Sequence, residues 1–213
     1  MKFCRALPSI IAVVSLLVGV WSSAGCRNLF VARQRVQVDA ISAPGAAKLA
    51  GQSYRLVARK SVVNSQQAQL LVIRACLNAA LISKGMFESP PNVPPDVFIE
   101  VSYGMDMAAR VDPSTRESYL QLSARPNSTR SLDGTKDEEV WDVRVAIMGL
   151  AGRLETAMPM LCTIAAGNAG LDTRVETTIQ VLENSPEVTA VRNAAIKILD
   201  SHNPPAPAPS AAK

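Results

Sequence analysis

The side chains best suited to chemistry are few: one histidine, four cysteines and 18 carboxylates in 213 residues. The histidine, His202, stands at the edge of a proline-rich tail where nothing orients its ring. A Ser-His-Asp or Cys-His device needs an imidazole held by a third group, so His202 reads as a solvated residue and no catalytic site is assigned. With a single histidine and no cysteine pair at CxxC spacing, zinc and haem have no ligand set, and neither a metal nor a cofactor is expected. Asp137-Glu138-Glu139 with Asp133 gathers oxygen donors, but without the alternating spacing of a calcium loop it reads as a solvated hairpin tip. Carboxylates that do acid–base work must face one another across a cleft. Glu100 and Asp142 are the candidates, since both project from alternating strands toward a polar face; the plainer reading is a solvated sheet surface with Arg144 as counter-charge. Asn127-Ser128-Thr129 has the pattern of a glycosylation acceptor and reads as an ordinary turn.

Cys76 and Cys162 fall on or beside the apolar stripes of two helices expected to pack on one sheet face. In an oxidising compartment they are a possible disulfide, and closing so long a loop stabilises by about 2–5 kcal/mol. The alternative is two buried free thiols acting as small core residues. Geometry decides between them.

Cys26 is set apart by its context. Lys2 and Arg5 form a positive start, Ala6 to Gly25 carries no charge, and Ile10 to Val20 is an 11-residue mainly apolar run. That length fits a signal-peptide core and is short for a bilayer-spanning helix. Residues 1–25 are therefore expected to be a signal peptide, with the rest delivered outside the cytoplasm. Ser23-Ala24-Gly25-Cys26 resembles the lipobox of bacterial lipoproteins, apart from Ser23, where that motif usually carries an aliphatic residue. The resemblance implies lipidation of Cys26 and a lipid anchor. Ordinary cleavage near Ser22 and Ala24, giving a soluble periplasmic protein, and an uncleaved anchor are the alternatives. Arg27, Arg33 and Arg35 follow the apolar run closely, and positive charge there resists translocation. Arg27, rather than Asp, directly after the cysteine favours the outer membrane by resemblance to enteric sorting.

Two of the 22 basic residues belong to the leader, leaving 20 against 18 acidic ones. So even a balance argues against a nucleic-acid binder, which gathers basic residues on one face. Aromatic residues make up 4% of the chain, too few for base-stacking platforms. With 48% hydrophobic residues the composition is that of a globular domain.

Residues 26–34 read as a tether, 35–200 as one domain and 201–213 as a disordered Pro/Ala-rich tail. Alternation predicts strands over 35–41, 53–59, 97–103, 118–125, 140–148 and 175–181. Helical periodicity predicts helices over 66–84 and 153–168, the second limited by Pro159, and a third after the cap Ser185-Pro186-Glu187. The order implies an α+β two-layer sandwich: a mainly antiparallel sheet of five or six strands with helices on one face.

Val38-Asp39-Ala40, Gly51 to Leu56, Leu81 to Gly85, Pro95-Asp96-Val97, Tyr103-Gly104 and Val140-Trp141 together resemble the bacterial lipoprotein family named domain of unknown function 4136. The resemblance covers most of residues 35–182 and implies an envelope lipoprotein, with no functional residue to carry over. The expected function is thus non-enzymatic: a membrane-anchored interaction or assembly subunit with an envelope protein partner. A periplasmic binding module for a small apolar ligand or lipid, and a hydrolase using Glu100 and Asp142, are the alternatives.

Overall fold

The computed structural model describes residues 33–44, 49–58, 67–107, 116–127, 139–148 and 154–202. Cys26, Asp133, Asp137 and Glu138 lie outside the described residues, as does the tail beyond His202. In chain order the elements are β1 (Arg33–Ser42), β2 (Ser53–Ala58), α1 (Gln67–Ser83), β3 (Phe87–Glu88), β4 (Val97–Met107), β5 (Arg116–Pro126), β6 (Trp141–Met148), α2 (Leu154–Asn168), β7 (Thr177–Leu182) and α3 (Pro186–His202). The strands form one mixed sheet in the order β3-β2-β4-β5-β6-β1-β7.

The expectation of an α+β fold with a mainly antiparallel sheet holds, with one difference in strand number. Among the described residues the sheet has seven strands rather than five or six; the addition is β3, which is two residues long and shows no period to read. The sheet is mainly antiparallel, as expected, and the exception is β2, which runs parallel to both β3 and β4. The cause is α1. A strand followed by a helix that returns the chain to its starting end can be paired only in parallel by what comes next. From β4 to β6 the chain meanders antiparallel, as do β1 with β6 and β1 with β7.

Alternation sorts the strand residues between two faces. Val36, Val38 and Ala40 on β1, Val97, Ile99, Val101 and Tyr103 on β4, Leu120 and Leu122 on β5, and Val143, Val145 and Ile147 on β6 are buried in one core cluster. The helices complete that cluster with Ile73, Leu77 and Leu81 of α1, Met158, Leu161 and Ala165 of α2, and Val188, Val191 and Ala195 of α3. Burying a large aliphatic side chain contributes about 1.5–3 kcal/mol, so this apolar layer holds the helices to the sheet.

Local signals set the element ends. α3 starts where Ser185 caps it: the Val188 N–H donates to Ser185 Oγ at 3.4 Å, with Pro186 next in sequence. α1 stops at Gly85, whose φ of 83° admits glycine most easily. A Cβ there would also lie 3.2 Å from that of Ala50. α2 begins at Leu154 and carries Pro159 inside it, past the first turn, where a proline is best tolerated. β7 begins later than its apolar pattern predicts. The Arg174 N–H donates to Asp172 Oδ1 at 2.8 Å and Arg174 takes a φ of 60°, so the chain turns before it pairs. α3 runs to His202, placing that residue at a helix end rather than in the tail. β1 begins at Arg33, inside the stretch read as tether.

Candidate functional site

The sheet face turned away from the helices carries the polar residues, and register fixes their rows. Glu100 on β4 and Asp142 on β6 both pair with Ser123 on β5 between them. They therefore share a row, two strand spacings or roughly 10 Å apart at the backbone. Together with Ser102, Gln121, Arg125 and Glu139 they line an open cavity of about 620 Å³. The two candidate carboxylates thus line one concavity.

Its counter-charge is not the one expected. Arg144 is 2.7 Å from Glu117 and its guanidinium stacks 4.4 Å over the Tyr119 ring. A cation on an aromatic face adds about 0.5–1 kcal/mol at an exposed site. The ring in turn lies over Gly104, where a Cβ would come within 3.1 Å of it; glycine leaves the space the tyrosine fills. Arg125 is the cation beside Glu100, at 3.8 Å. Gln121 Nε2 donates to both oxygens of Asp142, at 3.1 and 3.0 Å. Glu139, expected in a solvated tip, belongs to this group. Loss of hydration raises its carboxyl above the ordinary range, as do the charge and hydrogen bond of Asp142 and the charge of Glu100; Arg125 opposes. Ser123 Oγ lies buried in this row with no hydrogen-bond partner among the described residues. Such an arrangement suits binding a cation or a hydroxyl-bearing group. Among the described residues no three potential ligands gather to hold a metal.

A second polar network was not legible in the sequence. The buried Tyr54 hydroxyl donates to Asn78 Oδ1 at 3.0 Å, and Asn78 Nδ2 donates to Glu88 Oε2 at 2.6 Å. Arg74 closes the chain on Glu88. Burial first, then the Glu88 charge, push the Tyr54 phenol far above its ordinary value, so the hydroxyl is a permanent donor. This network fastens β3 to α1. Nearby, Arg55 donates to the carbonyls of Pro90, Pro91 and Val93, bracing the proline-rich crossover. Asn127 is buried and spends its donors on Pro95 and Asp96 carbonyls. Its part is to close β5 rather than to present an acceptor amide.

Cys76 on α1 and Cys162 on α2 are brought together in the helix layer, both as buried free thiols. Each shifts the other's thiol: Cys162 lowers that of Cys76, and Cys76 raises that of Cys162. Cys76 also lines a cavity of about 720 Å³ between the helices, with Val72, Pro159, Arg192, Ile196 and Leu199.

No protein-family model and no curated protein matches the chain, so the resemblance to domain of unknown function 4136 rests on the residues quoted for it. Among solved structures, the chain is similar to the PelC dodecamer from Paraburkholderia phytofirmans at 11% identity and a TM-score of 0.37, over 61% of this chain and 94% of that one. It is similar to a PDZ domain protein from Parabacteroides distasonis at 13% identity and a TM-score of 0.41, over 71% of this chain and 39% of that one. A candidate lipoprotein from Caulobacter crescentus is similar at 14% identity and a TM-score of 0.24, over 73% of this chain and 93% of that one.

Proposed function

We propose that the chain is a membrane-tethered envelope subunit that works by association, its sheet extended across β7 by the β7 of a second copy. The observation that carries this reading is the edge itself. Among the described residues β7 ends the sheet, and its sequence TTIQVL holds no charge and no proline. An edge of that length presents a row of unpaired N–H and C=O groups, and proteins that stay monomeric usually blunt it with charge, proline or a bulge. Leu182 and Val175 beside it are exposed. Side-chain parity narrows the register to those in which one residue pairs with its own copy, and we take Ile179 as that residue. If Ile179 pairs with its own copy, Thr177 meets Val181 of the second copy and Thr178 meets Gln180 of the second copy. Both helix layers then share one face, and the half-buried Ile179 and Val181 stripes merge.

Sedimentation velocity on the wild type and on the Thr178→Lys/Gln180→Lys variant tests this. The wild type should sediment as a dimer or larger, and the variant as a monomer with unchanged thermal stability. Equal association of the two, or a monomeric wild type at high micromolar concentration, overturns the reading.

Tethering rests on the sequence around Cys26, and the outer membrane is the favoured location. No described helix is long and apolar enough to cross a membrane. Two or three acyl chains hold stably at roughly 0.8 kcal/mol per buried methylene. Wild type should therefore fractionate with membranes and incorporate labelled palmitate, while Cys26→Ser should not incorporate it. Soluble, unmodified wild type beginning near Gly25 contradicts the tether. A second reading, binding of a small apolar ligand, is supported by an apolar cavity of about 230 Å³ between α1 and the sheet, lined by Leu56, Leu70, Ile73, Leu77, Val101 and Tyr103. Solvent extraction of purified protein for a stoichiometric ligand checks it.

A further inference from the structure

Two buried free thiols on different helices, one of them lining a cavity, make an asymmetric pair. Cys162 sits wholly inside the core at 0% exposure. Burial holds its thiol well above the ordinary range, with Cys76 adding to the effect. Cys76, at 2% exposure, is the one of the two that lines the cavity. Cys162 lowers its thiol, burial opposes, and the Arg192 guanidinium lowers it further. Arg192 lines the same cavity and donates to the Glu183 backbone carbonyl, a neutral acceptor, at 3.3 Å. Thiolate, not thiol, attacks a disulfide. The thiol with cationic support is therefore the one a small molecule in the cavity would meet first.

We propose that Cys76 and Cys162 form a thiol–disulfide exchange site entered from the cavity between the helices, with Cys76 as the attacking thiol and Cys162 as the resolving one. The oxidant is a low-molecular-weight disulfide. The Cys76 thiolate bonds to one of its sulfurs and expels the other half as a thiolate, which takes up the proton Cys76 gave away. Cys162 then loses its proton, attacks the Cys76 sulfur and expels the second half as a thiol. Two electrons pass to the external disulfide, and a Cys76–Cys162 bridge ties α1 to α2. The apolar walls Val72, Pro159, Ile196 and Leu199 suit an aromatic or aliphatic disulfide, and Arg192 supports the thiolate on the attacking side.

The test treats the native full chain with dipyridyl disulfide and follows each cysteine peptide by mass spectrometry, so that Cys4 and Cys26 do not enter the count. Wild type should end with no probe on Cys76 or Cys162 and with two hydrogens lost from the pair. Cys162→Ser should retain the probe on Cys76, and Cys76→Ser should leave Cys162 unmodified over the same time. Arg192→Gln, on a partly exposed side chain, should slow the first step severalfold while Arg192→Lys preserves it, a readout that packing alone would not move. Modification of Cys162 in Cys76→Ser at the wild-type rate, or equal rates in all Arg192 variants together with free alkylation of both thiols in oxidised wild type, overturns the proposal.

Discussion

The two edges of the sheet are built on opposite plans. β3 is two residues long, carries Glu88 and is followed by the proline-rich crossover. It is fastened from behind by the Tyr54–Asn78–Glu88–Arg74 chain. β7 is six residues long, uncharged, and held to the molecule by backbone pairing with β1 and by the inward packing of Ile179 and Val181. One edge is closed by the devices that prevent strand addition, and the other has none of them within its length. The difference teaches where to look for association: an edge is defined as much by what guards it as by its unpaired backbone.

Breaking the guarded edge should have the largest effect on stability. Asn78→Ala removes the middle of its network, leaving the buried Tyr54 hydroxyl and Glu88 without that partner. An unsatisfied buried group costs about 1–3 kcal/mol, so urea unfolding should show a loss of that size. Amides of Phe87 and Glu88 should exchange faster while those of β7 do not change. Next comes the cap of α3, the element that follows β7. Ser185→Ala removes the acceptor of the Val188 N–H and should cost about 1 kcal/mol, again read by urea unfolding, without altering association. The smallest effect concerns the open face. The Glu139 carboxyl is raised in the folded protein, so the folded form keeps its proton to higher pH than the unfolded chain. Stability therefore falls as pH rises from the ordinary glutamate range through the raised value. Glu139→Gln removes that contribution, and unfolding midpoints measured across the window should fall less steeply than in the wild type.

Most of the frame was legible because alternation and helical period are local. The stripes Val97/Ile99/Val101/Tyr103 and Leu154/Met158/Leu161/Ala165 are buried as their spacing demands. β3 was not legible because two residues have no period, and the parallel pairing of β2 was missed because it follows from where α1 delivers the chain. The carboxylate row was found in part. Glu100 and Asp142 announced themselves by strand position, whereas Glu139 joins from a turn before β6, and Arg125 rather than Arg144 became the nearby cation through register. Asn78 could not have been singled out, since a polar residue in a helix signals nothing until β2 and β3 supply its partners. That Cys76 and Cys162 face each other depends on how α1 and α2 pack, which neither helix encodes alone.

The central claim, that β7 is the associating edge, is tested most directly by placing cysteines on each edge in turn. A Thr178→Cys/Gln180→Cys variant, oxidised at native pH, should give a covalent dimer whose bridge joins position 178 of one copy to position 180 of the other. A Phe87→Cys variant, at a position likewise exposed on the other edge, should remain monomeric. Covalent dimers through Phe87→Cys as readily as through β7, or none through β7, would contradict the account.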